Sequence, residues 1–403
     1  MAVSVRLTRE RPFTSSAAIG SVGAMVALMF MSSTLLTPLY SIYRETFHFS
    51  QVLLTLIYSA YVVGNLGALL FFGRVSDQIG RRPVTLGAIA LAALATGLFL
   101  VATTTAWLFV ARILSGFAIG LASGVGAAWI AELDPRHDRG HAALLMTSAN
   151  FAGLALGPLV SGLLAQYAPW PLRLPYAVQL AGLVLVGVFV WATQETVTSS
   201  RHLNDVDLQP RLGVPRAIRV EFVAPGVTLF GMMALIGFYA ALLPSLLAER
   251  LHQTNHAVGG VIVFWLFAVA VAGVILSRRL ASRTAMLAGL GLLVPSLALL
   301  ELAQWLRSMP VLLIGTTIAG AAAALGCRGS LQVVNTISPE DRRAEVVSSY
   351  YVAGFVGNSL PVIGVGVLSS LLGAVGAGAI FAITIGLFAV IALVVGGRYA
   401  PAR

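Results

Sequence analysis

Two arginines stand inside long apolar runs of this 403-residue sequence, Arg112 in ARILSGFAIG and Arg328 in GCRGSLQVVN. A guanidinium keeps its charge at any physiological pH. Inside an apolar slab such a cation needs an anion, a carbonyl cluster or water. The 15 acids are Glu10, Glu45, Asp77, Glu132, Asp134, Asp138, Glu195, Asp205, Asp207, Glu221, Glu249, Glu301, Glu340, Asp341 and Glu345, and all fall in segments that read as loops or helix ends. Two kinds of chemistry are open to such a chain. Protons could pass through the acids Glu132 and Asp77, or a ligand bearing a negative group could pair with an arginine. The plainer alternative is that Arg112 and Arg328 snorkel to the nearest interface.

Other polar side chains recur at helical spacing. Thr55, Tyr58 and Asn65 share one face, with Tyr61 beside it; Ser33, Thr37 and Tyr40 share another. Arg328, Gln332 and Asn335 form a third stripe, and Tyr351, Gly354 and Asn358 a fourth. Intramembrane polar residues face a bundle interior or water, so the candidate cavity residues are Thr37, Tyr40, Tyr58, Tyr61, Arg112, Asn150, Tyr239, Trp265, Arg328, Gln332, Tyr351 and Asn358. For Asn65 and Asn358 an interhelical hydrogen bond is the stronger reading, and for the aromatics core packing is the alternative. Nothing in the sequence spells an enzyme: no phosphate-binding loop, nucleophile elbow or zinc motif is present. Cys327 is the single cysteine, and the six histidines lie in loops or at helix ends, so neither a disulfide, a metal site nor a cofactor is expected.

The elements that would position these residues are membrane helices. The chain is 58% hydrophobic and 10% charged, with mean hydropathy +0.91, against roughly 25% charged in soluble domains. A spanning helix needs about 20 apolar residues. That ruler gives twelve spans, near 17–40, 51–72, 84–103, 106–130, 142–165, 175–193, 223–248, 257–276, 284–303, 310–335, 345–370 and 376–397. The first run is too long for the apolar core of a cleaved signal and reads as a retained helix. All 25 basic residues are arginine; with both termini on one side, 19 fall on that side and 4 on the other. The arginine-rich side is the inner one by the positive-inside rule, which also accounts for the net charge of +10 without nucleic acid.

The longest polar segment, 194–222, divides the chain into halves 1–193 and 223–403. LLTPLYSIYRE at 35–45 matches ALLPSLLAERL at 241–251, pairing Pro38 with Pro244 and Arg44 with Arg250. Six-helix halves in parallel repeat are a transporter architecture.

Three motifs sit in this frame. The inner loop after the second span reads Gly73-Arg74-Val75-Ser76-Asp77-Gln78-Ile79-Gly80-Arg81-Arg82-Pro83; the fourth span carries Arg112 and Gly116, then Gly120 and Gly124; the fifth carries Gly153, Gly157, Pro158, Ser161 and Gly162. The loop resembles the major facilitator signature G-x-L-A-D-R-x-G-R-K, with Gln78 departing. The fourth span resembles that family's R-x-x-x-G pattern. The fifth resembles G-x-x-x-G-P-x-x-G-G of its antiporters, with Ser161 replacing one glycine. The sequence is thus similar to the twelve-helix drug/proton antiporter branch of the major facilitators.

The resemblance implies an all-α fold of two pseudo-symmetric six-helix halves. It implies an inner-membrane exporter of small, partly apolar molecules, exchanging them for protons by alternating access; a monomer is expected. A sugar, metabolite or organic-anion permease and a non-transporting sensor are the alternatives. It further implies a latch in which Asp77 faces the start of the eleventh span, near Arg343–Val346, and Arg81 pairs with Glu132, biasing the outward-facing state. From the arginine count, a reporter fused after Arg403 is expected on the cytoplasmic side; a periplasmic signal would reverse every assignment of inner and outer.

Overall fold

In a computed structural model, residues 15–73, 75–135, 139–197 and 212–400 are described. Arg74 and the greater part of the central linker lie outside them. The spans are Ser15–Thr34, Gln51–Phe72, Arg81–Leu100, Thr105–Leu133, Arg139–Tyr167, Leu174–Ala192, Arg219–Arg250, His256–Leu276, Ser282–Leu306, Met309–Ile337 and the long element Arg343–Tyr399. Gly373, at φ 74° and ψ 169°, divides this last element into spans eleven and twelve. The chain reverses there: Gly378 packs beside Glu301 at the outer end of span nine, and Gly396 beside Met286 and Ala224 at the inner ends of spans nine and seven. The described residues therefore form twelve crossings, as the hydropathy predicts.

Helix ends are set by local chemistry. Ser50 accepts from the Leu53 amide to cap span two, and Asn255 accepts from the Ala257 and Val258 amides to cap span eight, satisfying donors a helix start leaves open. Span one ends at Thr34, short of the expected 40. Leu35–Leu39 form turns instead, since Pro38 has no amide hydrogen to continue the ladder. The expected stripe of Ser33, Thr37 and Tyr40 is broken there. Tyr40 instead opens a short outer helix, Tyr40–Phe47. The outer turns that follow, at His48 and His252, share a left-handed backbone with φ 52° and 51°.

Small residues let the helices meet backbone to backbone. A Cβ on Gly116 would lie 1.9 Å from the Tyr61 carbonyl oxygen, and one on Gly64 1.9 Å from that of Ile113, so spans two and four are in direct main-chain contact. Spans two and eleven, and spans five and eight, form the junction between the halves. One apolar cluster runs across that junction at the outer and middle levels, from Leu36 and Tyr58 to Leu243 and Val365. Towards the inner side the core separates into a cluster of the first half around Met25, Ala122 and Trp129 and clusters of the second half around Val346, Tyr350 and Met286.

Gly373→Ala places a side chain where the backbone is glycine-specific, a cost of about 1–3 kcal/mol. The expected outcome is a lower Tm in detergent with normal membrane insertion, read by thermal unfolding of the purified variant.

Candidate functional site

Three groups of predicted residues fall into three places. The first is the inner face of the first half. Arg81 is buried and its guanidinium meets Asp77 at 2.5 Å and Glu132 at 2.7 Å, while donating to Ser76 Oγ at 2.7 Å. The expected Arg81–Glu132 pair is thus formed. Asp77, with about half its side chain exposed, takes Arg81 as its ion partner. The start of span eleven is met by the linker, where the Gly213 amide donates to Ser349 Oγ at 3.0 Å.

Glu195 joins this group although no sequence motif points to it. Its carboxylate accepts from the main-chain amides of Arg81 (2.9 Å) and Arg82 (2.8 Å) at the start of span three, where the helix dipole favours an anion. Gly80 makes this possible: at φ 124° it adopts a backbone that side chains avoid, and a Cβ there would press on Glu195 Oε2 at 2.8 Å. Thr196 Oγ1 then donates to Glu132. Gly73 turns the chain out of span two, and Arg82 reaches the Trp191 carbonyl at 3.4 Å. The beginning of the linker is therefore bonded to the Arg81–Glu132 group.

The second place is the outer half of the bundle, around Arg112. Its side chain is fully buried. Nη1 donates to the Ser33 carbonyl at 2.9 Å and Nη2 to the Tyr58 carbonyl at 3.0 Å, and the guanidinium lies 5.4 Å and 4.7 Å from the ring centres of Tyr58 and Tyr61. Cation–π attraction of this kind strengthens when desolvated. Arg112 thus turns to the interior and does not snorkel. Tyr58 and Tyr61 both donate to Asn358 Oδ1 of span eleven, at 2.9 Å and 2.6 Å, and Asn358 Nδ2 donates to the Met233 carbonyl at 3.0 Å. Tyr40 and Thr37 are buried above them.

The third place is span five. Cβ atoms on Gly153 and Gly157 would strike the Ala27 carbonyl (2.1 Å) and Thr34 Oγ1 (2.4 Å) of span one; one on Gly162 would reach the His256 carbonyl of span eight at 2.8 Å. The Pro158 carbonyl lies against Gly260 in the same way. The motif therefore presses one helix against both a partner in its own half and one across the junction.

The other candidates do not join these places. Arg328 donates to the carbonyls of Ser277, Arg278 and Leu280 in the inner loop between spans eight and nine, so a carbonyl cluster, not a cavity anion, takes its charge. Gln332 accepts from Ser282 at the inner end of span nine. Trp265 is exposed on the same helical stripe as Val261 and Ile275, the stripe opposite the core, and bonds Thr317 at 2.9 Å; it faces outward from the bundle. Tyr239 is buried against Thr316, and Tyr351 packs edge-on to Tyr350. Asn150 is half-buried on the inner part of span five.

Polar contacts between the halves follow the same division as the core. Arg44 pairs with Glu249 at 3.0 Å, Ser245 donates to Gln51 at 3.3 Å, Ser41 meets His256 at 3.4 Å, and the His256 amide donates to Gln166 at 2.9 Å. All lie at outer helix ends, above Tyr58, Tyr61 and Asn358. The inner bonds of Arg81, Glu195 and Arg328 stay within one half.

Comparison with known proteins agrees with this architecture. The model of the Major Facilitator Superfamily matches residues 22–360. An uncharacterized transporter of Schizosaccharomyces pombe is 30% identical over 147 residues, 36% of this chain and 30% of that protein. The multidrug resistance protein MdtL of Shewanella sp. (strain ANA-3) is 25% identical over 151 residues, 38% of each chain. The alignments thus span about a third of these relatives' lengths. Among solved structures, a bacterial homolog of the human lysosomal transporter Spinster, inward-facing and unoccupied, superposes with TM-score 0.74 at 16% identity, covering 96% of this chain and 98% of that one.

Gly157→Leu would drive atoms into Thr34 and the Met31 carbonyl, an overpacking cost of about 1–3 kcal/mol. The variant is expected to unfold at lower temperature than Leu156→Ala, whose side chain is exposed; equal Tm values would show that the close approach is dispensable.

Proposed function

Because this chain belongs to the Major Facilitator Superfamily, a family of membrane transporters and not enzymes, we propose that it exports small, partly apolar molecules by alternating access, with protons as the coupling ion. The observation that carries this reading is the division of the junction. One continuous apolar core and a set of breakable polar contacts close the outer side, while towards the inner side each half keeps its own core and its own bonds. Two bodies joined at one end only can rock about the junction and exchange the open side.

The inner latch supplies the opposing restraint. Its acids, Asp77 and Glu132, share one cation with the linker attached. In the outer-closed arrangement the cation is satisfied within the first half. When the inner ends approach, Asp77 has half its surface free to meet the positive dipole end of span eleven. The same two acids are the carriers we assign to proton movement, since the arginines of the bundle interior cannot titrate. Export rather than uptake is supported by the Gly153–Pro158–Gly162 pattern of span five. A monomer in the inner membrane, with both termini cytoplasmic, completes the proposal.

The test is flux of dyes and antibiotics in proteoliposomes under an imposed pH gradient. Wild type is expected to move at least one compound in a gradient-dependent way. Asp77→Asn and Arg81→Ala are each expected to insert normally and to lose about tenfold or more of that rate, the equivalent of about 1.4 kcal/mol in the balance of two states. Wild-type rates in both variants would remove the latch; absence of flux for every compound would favour a sensor on the same scaffold.

A further inference from the structure

Arg112 is a permanent cation with no ion pair in the structure. The ion pairs of the described residues involve Arg44, Arg81 and Arg342; Arg112 meets two main-chain carbonyls and two aromatic rings. Its Nε is buried with no acceptor, and the hydroxyl of Tyr40, whose ring stands 6.5 Å from that of Tyr58, is buried with no partner. Buried donors left open in this way are uncommon and costly. Beside them, two hydroxyls, of Tyr58 and Tyr61, converge on one neutral oxygen, Asn358 Oδ1, supplied by the other half.

An oxygen that collects two hydroxyl donors next to a guanidinium occupies the place of an anion. A carboxylate there would accept the same two bonds as charge-assisted ones and would offset the buried positive charge; a neutral ligand would do the first only, and a cation would oppose it. We propose that the Arg112–Tyr40–Tyr58–Tyr61 cluster receives a carboxylate or similar oxyanion of the transported molecule, and that the Asn358 carboxamide holds its place while the site is empty. This rests on the transport reading above and narrows its substrate class to partly apolar anions. It also ties cargo to gate. Arg112 lies about two helical turns below the outer end of span four, under the Arg44–Glu249 closure, so the cluster opens when the outer contacts part. An anion loaded from the inner side displaces Asn358, and its departure through the parted outer contacts lets Asn358 refasten the halves.

The probes are matched sets of an aromatic carboxylate, its amide and its amine, on several ring frameworks, assayed by thermal shift and by counterflow in proteoliposomes. In wild type, carboxylates are expected to bind about tenfold or more tightly than their amides. Tyr40→Phe should reduce that preference several-fold, weakening carboxylate binding more than amide binding. Asn358→Ala, which removes the competitor, should tighten carboxylate binding. Asn358→Asp, which installs an internal anion, should abolish the preference and slow counterflow with normal expression. Carboxylates no better than amides in wild type, or a preference unchanged in both Tyr40→Phe and Asn358→Asp, overturns the assignment and leaves transport standing. Failure of every compound to move in any assay removes the transport reading, and this one with it.

Discussion

A charge that cannot be neutralised, held in the apolar interior, constrains this molecule more than any other single feature. Isolated, a guanidinium in hydrocarbon costs several kcal/mol. Arg112 avoids that cost by reaching carbonyls on two other helices, Ser33 of span one and Tyr58 of span two. The Tyr58 carbonyl is within reach because spans two and four touch at Gly64 and Gly116, and the two tyrosine rings then lie against the cation. Packing, hydrogen bonding and charge placement in the first half are consequences of one another at this point.

The same logic operates differently at the two faces. At the outer face the polar groups pair across the junction, and each such pair is small and solvent-adjacent, worth about 0–1 kcal/mol for an exposed ion pair. Several of them hold the halves together without committing the molecule to that arrangement. At the inner face the strongest bonds are internal to a half: Arg81 with two carboxylates, Glu195 with two amides, Arg328 with three carbonyls. Each half is firm and the halves are joined at the outer and middle levels, an asymmetry that suits a rocking mechanism.

Much of this was legible in the residues. In a chain with so few charges, the cluster at Gly73–Pro83 and Arg112 stand out; the pair of Arg81 with Glu132 is present, but in an arrangement whose outer side is closed, so it is not a bond peculiar to the outward-facing state. Glu195 escaped notice because it binds main-chain amides, and no side-chain spacing advertises that. Trp265 and Arg328 were placed towards a cavity because polar and aromatic residues in a span are expected inside; the rotation of spans eight and ten, fixed by their neighbours, puts Trp265 outward and Arg328 into a loop. The seventh span, Arg219–Arg250, reaches beyond its apolar run, because long arginine and glutamate side chains carry their charge to the interface while the backbone stays helical.

The one-residue break at Gly373 has a mechanical meaning. Loops of several residues let neighbouring helices slide independently; a single non-helical residue between spans eleven and twelve acts as a stiff crank. A turn of span eleven about Asn358 is carried directly into span twelve, whose outward side chains Ile383 and Leu387 lie open at 71% and 57%. In the proposed cycle the bilayer around that helix yields with each stroke, so the thickness and fluidity of the surrounding lipid would enter its work.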